Sequence, residues 1–291
     1  MPEQPIFMSV QFRNNVHITG SGATTLVFVH GFGCDQTMWR FLVPPLAGRF
    51  RIVLYDLTGS GRSDLTAYDR TKHGTLAGHV TDLLEILDAC AAGPCIVVGH
   101  SVGASIALLA TVAAPERFLA QVLVGPSPCY VNDGDYVGGF NAEDIASLLD
   151  TMEKNFIDWS RRMAPVIMGA PNQPELGEEL TRSFCRNDPA VAKHFARVTF
   201  TADIRAAVPQ SRVPALILQC SDDLIVPREV GEWLHRQMPH STLNVIDNVG
   251  HCPHLSAPTA SSQAIEAFLA RTLRPSGAQP EASPISQAAP T

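Results

Sequence analysis

Short apolar segments alternate with longer helical patterns along most of this chain of 291 residues. The short segments are rich in Val, Ile and Leu, and most of them are continuously apolar, which is typical of strands covered on both faces. Strands of this kind that alternate with helices predict an α/β fold with a mostly parallel, doubly wound sheet. The six predicted strands span residues 25–30, 51–56, 95–100, 121–125, 215–220 and 242–247.

One long interval, residues 127–208, breaks this alternation because it contains helical patterns and no convincing strand. Such an interval is too long for a plain crossover, so it predicts a helical insertion that caps the ligand-binding edge of the sheet. The sheet domain then comprises residues 1–126 and 209–274, and the Pro-, Ala- and Ser-rich stretch 275–291 is expected to be disordered. The helical patterns span 76–91, 102–114 and 257–273 in the sheet domain, and 141–162, 175–186 and 189–199 in the insertion.

Charge and composition exclude several classes of protein. The net charge of -7 argues against a nucleic-acid-binding protein, which needs a basic surface. No apolar stretch reaches the roughly 18 residues of a membrane span, and residues 1–20 lack a signal pattern, so we expect a cytoplasmic protein without membrane association. The seven cysteines form no Cys-x-x-Cys pair, which predicts free thiols in a reducing compartment, with no metal and no cofactor.

The segment Gly99-His100-Ser101-Val102-Gly103 fits the pattern Gly-x-Ser-x-Gly between a predicted strand and a predicted helix. A sharp strand-to-helix turn needs small flanking residues and holds the serine oxygen out of the chain. The N-terminus of the following helix favours a negative charge that develops there. The motif in this context predicts that Ser101 is a nucleophile.

A serine hydroxyl needs a general base, and in chains with this turn the order is serine, acid, histidine. Among ten histidines, His251 lies in a loop after the last predicted strand, and it follows Gly250, whose backbone freedom can aim the ring inward. His254 is the main alternative, and its other interpretation is a supporting loop residue. The sequence favours His251 as the base.

The acid is expected in the loop after the predicted strand 215–220, where Asp222 and Asp223 are adjacent. Neighbouring residues at a strand end point in different directions, so only one of the two can face the histidine. Spacing alone leaves the choice open, although the apolar stretch that follows favours Asp223. The role of this acid would be to hold the histidine tautomer and stabilise the imidazolium.

Backbone donors for an oxyanion are predicted after the first strand, where His30-Gly31-Phe32-Gly33 supplies the flexibility of two glycines. The N–H of Phe32 and the N–H of Val102, the residue after the serine, are expected to form the oxyanion hole.

The predicted cap carries many aromatic residues with few charges among them. We expect Phe140, Trp159 and Phe195 to line an apolar pocket over the serine, with Tyr130 and Met163 as further candidate lining residues. The expected ligand is small, hydrophobic and uncharged.

Four segments of the chain resemble a known family: GHSVGASIALLATVAAPERF, VGPSPCYVND, LQCSDD and GHCPHLS. They are similar to the bacterial stress-signalling hydrolase RsbQ and to the strigolactone and karrikin receptors of plants, and RsbQ is the more similar of the two. The resemblance implies an α/β-hydrolase fold with a four-helix cap over a buried apolar pocket. The residues that it implies are the catalytic Ser101, Asp223 and His251, the oxyanion donors Phe32 and Val102, and the pocket aromatics Phe140 and Trp159.

Two functions follow from this resemblance as expectations. The first is a serine hydrolase that cleaves a small hydrophobic ester or lactone through an acyl-serine intermediate. The second is a ligand-sensing signalling protein with slow or vestigial hydrolysis. Because RsbQ acts upstream of a PAS-domain phosphatase, the resemblance also implies a PAS-domain signalling partner, by analogy alone. Met163 stands where the plant receptors commonly carry an aromatic residue, which implies a differently shaped pocket.

Overall fold

The computed structural model describes residues 9–91 and 93–273, and its centre is a seven-stranded sheet. The strands are β1 His17–Thr19, β2 Thr25–Val29, β3 Arg51–Leu54, β4 Cys95–His100, β5 Phe118–Val124, β6 Ala215–Asp222 and β7 Ser241–Val249. Their order in the sheet is β1-β3-β2-β4-β5-β6-β7, and every neighbouring pair is parallel except β1 with β3. The predicted mostly parallel sheet is confirmed.

The strand β1 was not predicted from the sequence. It has three residues, all of them exposed, and it forms one edge of the sheet, where it pairs antiparallel with β3. A short strand with no buried side chain leaves no periodic apolar pattern that sequence reading could detect.

The helices alternate with the strands as predicted. They are α1 Val10–Arg13, α2 Val43–Ala47, α3 Leu76–Cys90, α4 Val102–Ala113, α5 Ala142–Lys154, α6 Phe156–Met168, α7 Pro174–Arg186, α8 Pro189–Phe200, α9 Arg228–Gln237, α10 Pro253–Ser256 and α11 Pro258–Thr272. Four of them, α5 to α8, lie between β5 and β6 and form the cap.

The helical pattern predicted over 141–162 is two helices in the structure. Asn155 ends α5, and its side-chain oxygen accepts a hydrogen bond of 3.1 Å from the N–H of Asp158 in α6. Asparagine is among the preferred residues for this capping role, so a single residue both stops one helix and starts the next.

The middle strands explain where the functional loops lie. Every residue of β2 and β4 is buried, in agreement with their continuous apolar sequences. Because neighbouring strands from β2 to β7 run in the same direction, their carboxyl ends meet at one edge of the sheet. We call this the catalytic edge, and the loops after β2, β4, β6 and β7 form it.

Three other expectations concern the whole chain. In the part of the chain that the structure describes, no helix combines the length and apolar character that a bilayer span requires. All seven cysteines are free thiols, and six of them are buried. The predicted tail, 275–291, lies outside the described residues.

Candidate active site

Ser101 sits in a strained turn between β4 and α4, with φ 55° and ψ −124°. A left-handed backbone is unfavourable for a residue with a side chain and is typical of functional sites. At the flanking Gly99 and Gly103 there is no room for a side chain. A Cβ atom at Gly99 would lie 2.4 Å from the carbonyl oxygen of Gly103, and one at Gly103 would lie 2.4 Å from that of Val29.

Asp223 and His251 form a buried pair in which Nδ1 lies 2.7 Å from Oδ2. The second carboxylate oxygen, Oδ1, accepts hydrogen bonds from the N–H groups of Ile225 (2.9 Å) and Val226 (3.0 Å). Burial acts to raise the pKa of Asp223, but the charge and the hydrogen bond of His251, with the two N–H donors, lower it below its usual value. The acid is therefore ionised at neutral pH and can hold the Nδ1–H tautomer.

The structure distinguishes the two adjacent aspartates, between which spacing alone could not decide. Asp222 is the exposed last residue of β6, and its carbonyl oxygen accepts the N–H of Gly250 at 2.7 Å. The carboxylate of Asp223 contacts the imidazole of His251, whereas that of Asp222 makes no hydrogen bond with it.

His251 is fixed from two sides. Its N–H donates to the carbonyl oxygen of Ile167 in the cap helix α6 at 2.9 Å, and its own carbonyl oxygen accepts the Nε2–H of His100 at 2.9 Å. Gly250 has φ 107°, and a Cβ there would lie 1.9 Å from the carbonyl oxygen of Met168. The loop that carries His251 therefore packs directly on the end of α6, where only glycine fits.

The free nitrogen of His251, Nε2, is buried without a hydrogen-bond partner among the described residues. Since Nδ1 is held by Asp223, Nε2 is the atom that can take a proton. His251 and Ser101 line the same cavity, whereas His254 packs behind them, with its ring 4.8 Å from Trp39. Burial lowers the pKa of His254 well below its usual value, so this ring is neutral.

The expected oxyanion donors also lie at this cavity. Val102 is the first residue of α4, where a backbone N–H has no partner within the helix. Phe32 lines the cavity, and within the described residues its N–H donates no hydrogen bond. The neighbouring Gly33 has φ 71°, and its carbonyl oxygen accepts hydrogen bonds from Ser183 (2.9 Å) and Asn187 (3.1 Å) of the cap. The cap thus holds the loop that carries Phe32.

The cavity above Ser101 has a volume of about 30 Å³, and most of its lining is apolar. It is lined by Phe32, Cys34, His100, Ser101, Tyr130, Ile167, Leu180, Phe184, Thr199, Phe200, Ile225, His251 and Cys252. Since a water molecule needs roughly 10–15 Å³ of such space, the cavity has room for about two waters.

Of the five predicted pocket residues, only Tyr130 is among these lining residues. Trp159 and Phe195 are buried one layer behind, with ring centroids 6.3 Å and 5.8 Å from that of Phe32. Met163 and Phe140 pack partly buried against the core and do not reach the cavity either. The sequence prediction placed the aromatic layer one shell too close to the serine, because the rings of Phe32 and Phe184 intervene.

Several lining residues were missed by sequence reasoning. Phe184 and Leu180 lie four residues apart on α7 and are both buried, so the helical spacing of apolar residues could have identified them as one face. Cys252 follows His251 directly, which places it at the site by proximity alone. Thr199 carried no recognisable signal.

Tyr130 adds a polar group to a mostly apolar wall. It is fully buried, and burial raises the pKa of its phenol to about 12, although a hydrogen bond with Ser101 acts in the opposite direction. Tyr130 is therefore protonated at neutral pH, and its hydroxyl can donate to the serine oxygen or to a ligand.

Comparison with known proteins finds relatives along most of the chain. A model of the Alpha/beta hydrolase family matches residues 26–264. The karrikin insensitive 2 receptor CA of Petunia hybrida is 38% identical over 86% of this chain and 93% of its own length. The strigolactone esterase RMS3 of Pisum sativum is 35% identical over 88% of this chain and 97% of its own length. The structure of olei00960, a hydrolase from Oleispira antarctica, has a TM-score of 0.87 and 40% identity, and covers 90% of this chain and 96% of that one.

The family model spans the strands of the sheet from β2 to β7, the cap and the serine, aspartate and histidine described above. A match of this extent, with relatives above 30% identity along most of the chain, leaves one conclusion. The chain belongs to the alpha/beta hydrolase family.

Proposed function

We propose that the protein is a serine hydrolase that cleaves small hydrophobic carboxylic esters or lactones. The observation that carries this proposal is the 2.7 Å contact between Asp223 and His251 beside the cavity that Ser101 lines. A carboxylate–imidazole pair with a free second nitrogen, next to a strained serine, suits nucleophilic catalysis. The esterase name of the Pisum sativum relative supports the ester class.

In the proposed mechanism, the Oγ of Ser101 attacks the ester carbonyl while Nε2 of His251 takes the hydroxyl proton. The N–H groups of Phe32 and Val102 bind the oxyanion that forms. The imidazolium, stabilised by Asp223, then protonates the leaving alcohol, and the C–O bond breaks to give an acyl-serine. A water molecule activated by His251 hydrolyses this ester and releases the acid.

The size of the cavity supports a small acyl group as substrate. With space of about 30 Å³, an ester can enter only when cap side chains move aside, and a short acyl chain requires the least movement. A mostly apolar lining disfavours a charged substrate, whose desolvation would be costly.

The proposal is tested by Ser101→Ala, with hydrolysis of p-nitrophenyl acetate and covalent labelling by a fluorophosphonate as the measurements. Loss of the nucleophile should reduce kcat at least about 10³-fold and abolish labelling. The matched control is Ser105→Ala, one turn further along α4, where the hydroxyl donates to the carbonyl oxygen of Ser127 at 2.8 Å. Activity retained by the Ser101 variant would contradict the proposal.

A second candidate function is ligand sensing, in which binding is the output and hydrolysis is slow. It is supported by the karrikin insensitive 2 receptor CA of Petunia hybrida, at 38% identity, and by the small cavity. The RsbQ resemblance adds a PAS-domain protein as the proposed partner. Turnover measurement separates the two functions, since a kcat of about 1 s⁻¹ or more is ordinary for an enzyme. Much slower turnover, together with ester-dependent capture of a PAS-domain protein, would favour sensing.

A further inference from the structure

A second group of buried titratable side chains lies at the start of α3, outside the catalytic cavity. His73, His79 and Asp82 are each at most 1% exposed, and none of them lines that cavity. Each offers one ligand atom, and these three atoms lie within 4.8 Å of one another. Two imidazoles and a carboxylate are a donor set that suits Zn²⁺ and similar divalent transition metals, with a position left for water.

His79 provides the independent observation that points to a ligand. It is completely buried, and neither of its ring nitrogens has a hydrogen-bond partner among the described residues. Buried polar groups are nearly always hydrogen-bonded, so an imidazole without partners needs an explanation. A neutral imidazole carries the lone pair that a metal requires.

The other two side chains are already close to ligating geometry. His73 Nε2 lies 2.9 Å from Asp82 Oδ2, and the rings of His73 and His79 are 4.7 Å apart. Bonds of about 2.0–2.1 Å to tetrahedral Zn²⁺ place ligand atoms roughly 3.4 Å from one another, so small ring rotations suffice. His73 Nδ1 lies 2.9 Å from the carbonyl oxygen of Asp69, a hydrogen bond of the kind that orients metal-bound imidazoles.

Two cations share Asp82 and bear on the charge of the site. The Nζ of Lys72 and the guanidinium of Arg13 both contact Oδ1, and both also lie within 4.0 Å of Glu85. Lys72 is partly exposed, so its ammonium group can shift towards Glu85 and solvent when a metal binds at Oδ2 of Asp82.

A comparable group, His100, Cys252 and His254, lies behind the catalytic histidine. It contains no carboxylate, and burial raises the pKa of the Cys252 thiol well above its usual value. The Nε2–H of His100 is already donated to the carbonyl oxygen of His251, so a metal there would disturb the catalytic loop. The observations therefore favour the group on α3.

We propose that His73, His79 and Asp82 bind one divalent transition metal ion of the Zn²⁺ class, which braces the cap against the sheet domain. The spacing of these residues matches no metal motif, which is why the sequence predicted no metal site.

The bracing role follows from contacts with the cap helix α8. The ring of His73 stacks on Tyr68, with centroids 4.9 Å apart, and the hydroxyl of Tyr68 lies 2.8 Å from Nδ1 of His194 in α8. The ring of His79 lies 4.7 Å from that of Phe195 in the same helix. A bound metal fixes both rings on which this part of α8 rests.

The test uses the purified full-length protein, stripped with EDTA and titrated with ZnCl₂ by isothermal titration calorimetry and by thermal unfolding. One equivalent should bind and raise the Tm, and Co²⁺ should give the visible absorption of a low-symmetry site. His79→Phe should weaken binding at least about 100-fold and remove the Tm rise. Because His79 makes no hydrogen bond to the described residues, this variant should fold without metal at least as well as the parent.

The matched control is His254→Phe, which replaces another buried histidine without hydrogen-bond partners in the described chain, next to Trp39. It should retain the binding and the Tm rise. If His79→Phe fails to fold, His73→Gln serves in its place, with the same expected loss. The proposal would be overturned if the parent protein bound no Zn²⁺, if His79→Phe bound it as tightly as the parent, or if His254→Phe lost the binding.

Discussion

The catalytic edge and the cap hold their side chains by different means. At the catalytic edge, directional contacts fix each group: Ser101 has φ 55°, and Asp223 accepts three hydrogen bonds between 2.7 and 3.0 Å. In the cap, the side chains over the cavity are held mainly by ring packing, as where Phe184 lies parallel to Trp159 with centroids 6.0 Å apart. Hydrogen bonds define direction, whereas apolar packing defines only volume.

This difference predicts how substitutions act. Proton transfer needs heavy atoms within about 3.2 Å and in line, so a change at the catalytic edge should reduce kcat for every substrate. A change in the cap alters the space above the serine, so it should alter the choice among substrates more than the rate with the smallest one.

The largest effect is expected for Asp223→Asn. An amide keeps the shape but cannot hold the Nδ1–H tautomer of His251 in the same way, and kcat for p-nitrophenyl acetate should fall by about 10⁴-fold. The measurement is steady-state hydrolysis, with circular dichroism to confirm folding.

The adjacent Asp222→Asn is the matched control for this variant. Asp222 is exposed and contributes its backbone carbonyl rather than its carboxylate to the loop, through the N–H of Gly250. The variant should retain activity within about threefold, because exposed substitutions of this kind have small effects. A larger loss of activity in the Asp222 variant than in the Asp223 variant would contradict the assignment of Asp223 as the acid.

A smaller loss is expected for Gly125→Ala at the end of β5. Gly125 has φ 54°, and an added Cβ would lie 3.0 Å from Cε1 of His251. The backbone strain and the crowding together should displace the imidazole and lower kcat by roughly 10–100-fold. The control is Gly134→Ala, where φ is 56° and the added Cβ meets nothing within 4 Å. Equal losses in both variants would mean that backbone strain alone is responsible.

The same contrast explains what could be predicted from the sequence. Ser101 and His251 follow strands with clear apolar patterns, and parallel strands bring their ends to one edge, so sequence alone could place them together. Spacing alone left the choice between Asp222 and Asp223 open, because the two differ by one step in a loop. The apolar stretch after Asp223 and the resemblance to a family both favoured the residue that the structure places beside the imidazole.

The cap was predictable in its helices and not in its inner surface. Helical periodicity identifies an apolar face, but which aromatic residue reaches a cavity depends on how the helices cross. Phe195 is buried and still lies behind Phe32, and Trp159 is separated from the cavity by Phe184. The prediction of buried aromatic side chains in this part of the cap was correct for both residues. The helical pattern does not show how far each side chain lies from the cavity.

On the cap side, Phe184→Leu should enlarge the cavity. The ratio of kcat/KM for p-nitrophenyl hexanoate to that for the acetate should rise by about tenfold, since each methylene accommodated in an apolar pocket contributes about 1–3 kcal/mol. The matched control is Phe156→Leu. The ring of Phe156 is buried in the cap, with its centroid 6.5 Å from that of Trp159, and it does not line the cavity. An unchanged ratio in the Phe184 variant would mean that another element limits acyl length.

The smallest effect is expected where the two regions meet, at Ser183→Ala. The hydroxyl of Ser183 donates to the carbonyl oxygen of Gly33, next to the expected oxyanion donor Phe32, and Asn187 donates to the same oxygen. Removing one of two hydrogen bonds removes about 1 kcal/mol at most from the positioning of this loop, so kcat should fall by no more than about fivefold. Thr181→Ala is the control, because its hydroxyl donates within α7 to the carbonyl oxygen of Gly177. If the Ser183 variant changes only KM, the cap supports ligand binding here and leaves the oxyanion loop unaffected.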